Sequence, residues 1–179
     1  DHGLQLMDNE AKLIKHAKKY FDKVIVLINS SNILQIPELA EPKTDDNYGV
    51  DAILWVGGVG QYGAEAIPYL LNGTVSPSGH TVDVWEKDFT KSPVWTNFGL
   101  NSQNKDKAGV RQNTFFYTED GEMTQFANLE YREGIYSGFR FYETAYADAV
   151  GDEAKEEAYS NVLYPFGYGL SYSTFEWRL

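Results

Sequence analysis

The sequence contains no cysteine among its 179 residues. Disulfide bonds and cysteine-based zinc sites are therefore excluded, and the composition fits a cytosolic protein or a cysteine-poor secreted bacterial protein. The histidines His2, His16 and His80 are far apart and lack the H-x-x-x-H spacing of a zinc site, so we expect no metal. No apolar run approaches the roughly 18 residues of a membrane-spanning helix, so we expect no membrane span in this chain.

Basic residues are also scarce. There are 15 Lys and Arg residues against 26 acidic residues, which gives a net charge of −11. This balance argues against a nucleic-acid partner, because binding to phosphates requires clustered basic side chains. The longest basic cluster, at 15–19, falls on one predicted helix, where it is typical of a solvated face.

The first half of the chain alternates helical and strand-like segments. We expect a helix from Asp8, as its N-cap, to Phe21, because apolar residues recur there at helical spacing. The apolar runs at 24–28 and 50–56 predict adjacent parallel strands buried on both faces, and a third strand is expected at 81–85. This alternation predicts an α/β fold with a mainly parallel sheet flanked by helices, an α/β sandwich.

The second half predicts additions to this sheet. Two strand-like runs flank Asp120-Gly121, which is a strong signal for a β-hairpin. We therefore expect residues 1–179 to form a single domain that carries an insertion with a hairpin at 101–130. The aromatic-rich stretch at 129–143 is expected to be extended or irregular, and the acidic stretch at 144–161 to be a surface helix or loop.

The chain ends in an aromatic-rich C-terminal segment, "YPFGYGLSYSTFEW", at 164–177. Its glycines predict a sharp loop at Gly167 and Gly169, with Phe166 and Tyr172 packed inward. Aromatic residues make up 15% of the whole sequence, and rings stack on sugar faces, so the composition also suits a carbohydrate partner. For most of these rings, a place in the core is the simpler interpretation.

A glycine-rich motif, "GVGQYG" at 58–63, has the G-x-G-x-x-G pattern of dinucleotide-binding loops. It follows a predicted strand, precedes a predicted helix, and has Asp83 twenty positions beyond its last glycine, as such sites require. The helix behind it is short and contains Pro68, which makes a poor pyrophosphate cradle. The alternative is that the glycines allow a tight turn at the end of a strand.

Five stretches resemble glycoside hydrolase family 3, the β-glucosidase family. The C-terminal "YPFGYGLSYSTFEW" resembles that family's F-P-F-G-Y-G-L-S-Y-T-x-F segment, and four further stretches match in the same order. Val59 stands where the family often has proline, and His80 where it usually has arginine. The four stretches are "LQLMDNEAKLI" (4–14), "KVIVLINSSN" (23–32), the run at 50–83 that begins "VDAILWVGGVGQYG", and "EGIYSGFRFYET" (133–144).

The resemblance implies an α/β sandwich domain beside an (α/β)8 barrel in a retaining, exo-acting β-glycosidase. The barrel would carry the nucleophilic Asp, and a loop just before the helix entry at Leu4 would carry the acid/base Glu. No residue of this chain then inherits a catalytic role, and no cofactor is implied. The expected partners are a β-linked oligosaccharide or glucoside, the barrel, and the upstream half of the sandwich. A carbohydrate-binding or scaffold module without chemistry, and a nucleotide-binding α/β domain, are the alternatives.

Candidate site residues follow from the predicted sheet. Ligands of open α/β sheets collect at the carboxyl ends of the strands, which here lead into the loops at 29–32 and 57–63. We expect these loops to line the cleft without acting as catalysts. The candidate lining residues are Asn29, Ser30, Ser31, Gly58 and Gln61.

Overall fold

The computed structural model describes residues 4–44, 47–95, 112–117, 120, 123–128, 131–176 and 178. It divides into two compact units, Asp1–Lys87 with Val162–Leu179, and Asp88–Asn161. The helices are α1 (Asp8–Tyr20), α2 (Pro37–Ala40), α3 (Ile67–Leu71), α4 (Phe139–Asp148) and α5 (Asp152–Tyr159). The strands are β1 (Ile25–Ile28), β2 (Ala52–Trp55), β3 (Trp85–Glu86), β4 (Gln112–Tyr117), β5 (Met123–Asn128) and β6 (Val162–Tyr164).

Helix α1 forms where the apolar spacing predicts it, but its N-cap is Met7 and not Asp8. The Met7 N–H donates to the Glu10 carboxylate at 2.8 Å, which satisfies one of the free N–H groups at this end. Asp8 therefore lies inside the first turn, where its negative charge still suits the helix dipole.

Strands β1 and β2 are adjacent and parallel, as the sequence predicts. Their register runs from Ile25 opposite Ala52 to Ile28 opposite Trp55. Each strand is shorter than its apolar run, because pairing covers only four residues.

The prediction that both faces of this pair are buried is wrong, because β1 has an exposed face and β2 has Ala52 exposed and its other three residues half-buried. Ile25 and Leu27 are 49% and 41% exposed, whereas Ile28 is buried and Val26 packs against the core. Side chains of a strand alternate between its faces, and in the described part of the chain the core cluster lies against one face only. The buried members of that cluster are Ile14, Ile28, Ile36, Leu39 and Trp85.

The third predicted strand is also corrected. It occupies Trp85–Glu86, not 81–85, and pairs antiparallel with β6 and not with the parallel strands. Trp85 contacts Trp55 edge to face, with ring centroids 5.5 Å apart, so this small sheet packs on the same core. The unit is thus an α/β arrangement with a parallel pair and a separate antiparallel pair.

The second unit contains the predicted hairpin. Strands β4 and β5 pair antiparallel from Gln112 opposite Asn128 to Tyr117 opposite Met123, while Gly121 of the turn lies outside the described residues. Of the expected insertion at 101–130, residues 101–111, 118–119, 121–122 and 129–130 lie outside the described residues, so the insertion stays a prediction.

Two helices follow the hairpin in this unit. Residues 139–143 belong to α4, which corrects the expectation of an extended segment there. The aromatic spacing places Tyr142 inward, where its hydroxyl accepts a hydrogen bond from the Asn161 amide at 3.1 Å. The same amide donates to the Asp88 carbonyl at 3.0 Å, and these contacts join the two ends of the unit.

The C-terminal segment forms a sharp loop, but its rings do not pack inward as expected. Gly167 has a φ of +78°, a conformation that suits glycine. Phe166 and Tyr172 are 51% and 62% exposed. The loop is held by main-chain bonds to Thr81, which accepts from Gly167 N–H at 2.8 Å and donates to the Tyr168 carbonyl at 2.7 Å. The exposed Tyr172 ring still donates its hydroxyl hydrogen bond to the Leu70 carbonyl at 2.9 Å.

Candidate functional site

The loops at 29–32 and 57–63 leave the parallel pair at the same edge. The last rung of the ladder is a bond from Val56 N–H to the Ile28 carbonyl at 3.0 Å, directly before both loops begin. A Cβ placed on Gly58 would lie 3.5 Å from the Ser31 hydroxyl oxygen. The structure therefore brings Ser31 and Gly58 together, as parallel pairing of the strands requires.

The first loop is ordered by its own serine. The Ser30 hydroxyl accepts from Asn32 N–H at 3.1 Å and donates to the Asn32 carbonyl at 3.0 Å. The Ser30 carbonyl accepts from the Trp55 indole N–H at 2.7 Å. Sequence reasoning missed Trp55. The available signal was a tryptophan at the end of a strand, because a half-buried indole N–H needs an acceptor nearby.

Four of the five candidates are open to solvent. Asn29, Ser31, Gly58 and Gln61 are exposed and Ser30 is half-buried. Neither Asn29 nor Gln61 makes a side-chain hydrogen bond within the described residues. Their amides each carry donors and acceptors that can bind sugar hydroxyl groups.

The glycine-rich loop forms a tight turn at the end of β2. Gly57 and Gly60 have φ values of +59° and +62°, where a side chain would be strained. The loop leads into the 3₁₀ turn Gly63–Ala66 and then α3, which has five residues with Pro68 in its first turn. This geometry agrees with the turn interpretation and lacks the long helix that a pyrophosphate site uses.

The opposite edge of the sheet carries a charged clamp around Asp51, which sequence reasoning also missed. Its carboxylate accepts from Val24 N–H at 2.8 Å, from the Lys23 ammonium at 3.0 Å and from the Lys18 ammonium at 3.1 Å. The Val24 N–H bond, followed by the two lysines, holds the pKa of Asp51 well below its usual range. Asp51 therefore stays ionised and ties the start of β2 to the start of β1 and to α1.

Glu38 is a second carboxyl group with a shifted pKa. Burial raises the pKa of Glu38, and a bond to its own backbone N–H opposes part of that rise. Burial, the negative charge of Glu38 and that of Asp8 together raise the pKa of Tyr48, whose N–H donates to the Glu38 carbonyl at 2.8 Å. The Lys15 ammonium lies 5.1 Å from the centre of the Tyr48 ring. This group fixes α2 against the following loop.

The described residues include neither a metal-binding cluster nor a membrane-spanning helix. No cluster of three or more His, Asp or Glu side chains there has the arrangement of a metal site. None of the helices described has both the length and the apolar character needed to span a membrane.

Comparison with known proteins identifies the family. Residues 1–172 match the family model for the glycosyl hydrolase family 3 C-terminal domain. The chain belongs to this family. Since the match covers nearly the whole sequence, the resemblance carried by the five stretches is confirmed.

Relatives of the family 3 domain include β-glucosidases. β-Glucosidase A of Butyrivibrio fibrisolvens is 31% identical over 176 residues, which are 98% of this chain and 16% of that protein. A solved β-glucosidase from Paenibacillus barengoltzii has a TM-score of 0.70 at 27% identity, over 98% of this chain and 15% of that one. β-Glucosidase 3B from Thermotoga neapolitana, solved with glucose, has a TM-score of 0.65 at 30% identity, over 98% and 20%.

The family 3 domain thus spans about one sixth of the length of the relatives it matches. The shared architecture confirms the α/β fold class predicted from the sequence. None of the five candidate lining residues is assigned a role by these likenesses.

Proposed function

We propose that this chain is part of a retaining, exo-acting β-glycosidase of the β-glucosidase type, which removes terminal β-linked sugars. The observation that carries the proposal is the match of residues 1–172 to the family 3 C-terminal domain. The β-glucosidases among the relatives support glucosides as the substrate class.

The chemistry explains why this domain needs partners. Retaining glycosidases use two carboxyl groups about 5 Å apart, one as nucleophile and one as acid/base, and they need no cofactor. We propose that a barrel supplies the nucleophilic Asp and that a loop upstream of Leu4 supplies the acid/base Glu. The place of Asp51 supports this division, because two lysines and the Val24 N–H bind its carboxylate at the edge opposite the candidate loops.

We further propose that the loops at 29–32 and 57–63 line the substrate cleft. The exposed amides of Asn29 and Gln61 suit hydrogen bonds to sugar hydroxyl groups, and the Ser31 hydroxyl adds a donor and an acceptor. Gly58 has no side chain, so a ligand can approach its backbone closely.

The first experiment is an assay of nitrophenol release from aryl β-glucosides, by the full gene product and by this chain alone. Turnover by the full product and none by the isolated chain is expected. The proposal fails if the isolated chain turns over and a carboxylate substitution within it abolishes that activity.

The second experiment tests the lining residues in the full gene product. Asn29→Ala and Gln61→Ala should each raise KM about threefold to tenfold, since each removes a hydrogen-bonding group. Asp22→Ala is the matched control, because Asp22 is an exposed polar residue just before β1, at the opposite edge. Equal kcat and KM values for all three variants would contradict the proposal that these loops line the cleft.

A non-catalytic sugar-binding module is a second candidate function, and the exposure of Phe166 and Tyr172 favours it. Exposed rings can stack on sugar faces. Under this alternative the isolated chain binds β-glucosides by titration calorimetry, and Phe166→Ala abolishes the binding without unfolding the chain. Absence of binding by the isolated chain would reject it.

A further inference from the structure

Trp55 links the end of β2 to the loop that follows β1. Its indole N–H donates to the Ser30 carbonyl at 2.7 Å, at the short end of the range for such bonds. We propose that Trp55 is a positioning residue, which anchors the loop at 29–32 so that Asn29 and Ser31 present a fixed surface to substrate. This inference rests on the proposed function, in which that loop lines the cleft.

The anchor continues the sheet ladder where main-chain pairing stops. The bond from Val56 N–H to the Ile28 carbonyl is the last rung between the strands. Two residues further along the β1 chain, the Ser30 carbonyl is held by a side chain instead. Without that bond, the hydrogen bonds that hold the loop within the described residues would be those of the local turn between Ser30 and Asn32.

The Trp55 ring is itself fixed, which an anchor requires. It is half-buried and meets the buried Trp85 ring edge to face, at 5.5 Å and 76°. Trp85 in turn meets Tyr164 at 6.3 Å and 72°. Edge-to-face rings at these distances attract each other, so the indole N–H has a defined direction.

The hydrogen bond to the Ser30 carbonyl also orients Ser31, the next residue of the loop. The peptide unit between Ser30 and Ser31 is planar, so a fixed Ser30 carbonyl also fixes the direction of the Ser31 N–H. Ser31 is exposed and its hydroxyl faces Gly58 of the neighbouring loop. The anchor therefore sets the distance between the two loops proposed to line the cleft.

The test uses Trp55→Phe in the full gene product, with Trp85→Phe as the matched control. Both substitutions replace an indole of the same aromatic cluster with a smaller phenyl ring. The Trp85 indole N–H has no hydrogen-bond partner among the described residues, so only the Trp55 substitution removes a bond to the loop. If Trp55→Phe does not fold, Trp55→Tyr replaces it. The tyrosine hydroxyl lies at the tip of the ring and not at the position of the indole N–H, so this variant also loses the indole bond to Ser30.

Two measurements are made on each variant, namely hydrogen exchange of the amides at 29–32 and the separate values of kcat and KM. Trp55→Phe should speed loop exchange about threefold to tenfold and raise KM by a similar factor, with kcat changed less than about twofold. Trp85→Phe keeps the Trp55–Ser30 bond and an aromatic ring beside Trp55, so it should change loop exchange and KM less than Trp55→Phe does, whatever its effect on Tm.

The outcomes separate this inference from the proposed function. Unchanged loop exchange in a folded Trp55 variant would overturn the anchor and leave the proposed function untouched. Faster exchange with unchanged kinetics would overturn the positioning role and the placement of this loop in the cleft. If the full gene product has no glycosidase activity, the proposed function fails, and the exchange data alone decide whether the anchor exists.

Discussion

Asp51 shows how a single carboxylate organises the start of a sheet. Its side chain accepts from Val24 N–H while its own N–H donates to the Val24 carbonyl at 2.9 Å, so the two residues pair in both directions. Lys18 and Lys23 add charge to the same carboxylate. The D in the family-like "VDAIL" stretch therefore has a structural explanation.

Asp51→Asn should lower Tm at pH 7 and remove part of the acid sensitivity of the domain. The folded pKa of Asp51 lies below its unfolded value, so its contribution is present above about pH 4 and is lost as pH falls through the folded pKa. When Tm is measured from pH 7 to pH 2, the Tm values of wild type and Asp51→Asn should approach each other as the pH falls. Asp22→Asn, in the exposed turn before β1, should follow wild type throughout. A constant difference at every pH would contradict the ionic explanation.

Phe166 and Ile36 provide a test of which apolar residues build the core. Ile36 is 0% exposed, so Ile36→Ala should lower the free energy of unfolding by about 2–5 kcal/mol. Phe166 is half exposed, and Phe166→Ala should change it by less than about 1 kcal/mol. Urea denaturation of both variants measures this. A larger loss for Phe166→Ala would mean that its ring is covered in solution.

At the scale of elements, the join between the loop at 79–82 and the C-terminal loop depends on close backbone approach. A Cβ on Gly169 would lie 2.4 Å from the Gly79 carbonyl oxygen and 2.9 Å from the His80 ring. The facing residue Gly79 has open space around its own Cβ position and an ordinary φ. Close neighbouring atoms therefore require a glycine at position 169 but not at position 79.

Gly169→Ala should destabilise the domain by about 1–3 kcal/mol, because the clash involves backbone atoms that cannot move aside cheaply. Gly79→Ala should be within about 0.5 kcal/mol of wild type. Chemical denaturation of the two variants provides the comparison. Equal stability of both would show that the loops separate without cost.

Element types were predictable from the sequence where the signal is local. The apolar runs predicted β1, β2 and their parallel pairing, and Asp120-Gly121 predicted the β4–β5 pairing. Predictions that needed knowledge of neighbours failed, because burial depends on what packs against a face. Ile25 and Leu27 read as buried on hydrophobicity alone, yet the described core covers only the opposite face.

The candidate site was predictable at the level of loops and not of contacts. Parallel pairing placed the loops at 29–32 and 57–63 at one edge, and the structure has them there. The bond from Trp55 to Ser30 depends on a side-chain direction across two strands, which no sequence pattern specifies. The Asp51 clamp likewise joins Lys18 of α1 to β2, residues far apart in the chain.

At the scale of the whole molecule, the second unit is inserted in the sequence between two neighbouring strands of the first unit. It spans Asp88–Asn161, and the strands on either side of it are β3 and β6. These strands pair antiparallel, with Glu86 opposite Val162. Paired Cα atoms of antiparallel strands lie about 5 Å apart, so a short turn can close the gap.

We therefore predict that unit 1 folds when Asp88–Asn161 is replaced by a glycine-containing turn of about four residues. All five members of its buried cluster lie in unit 1, which supports independent folding. The shortened chain should show a single cooperative thermal transition. Ile36→Ala in the shortened chain should lower the free energy of unfolding by about 2–5 kcal/mol, the same loss that we expect in the full chain. A shortened chain that unfolds gradually, or one in which Ile36→Ala has no effect, would show that the core requires residues 88–161.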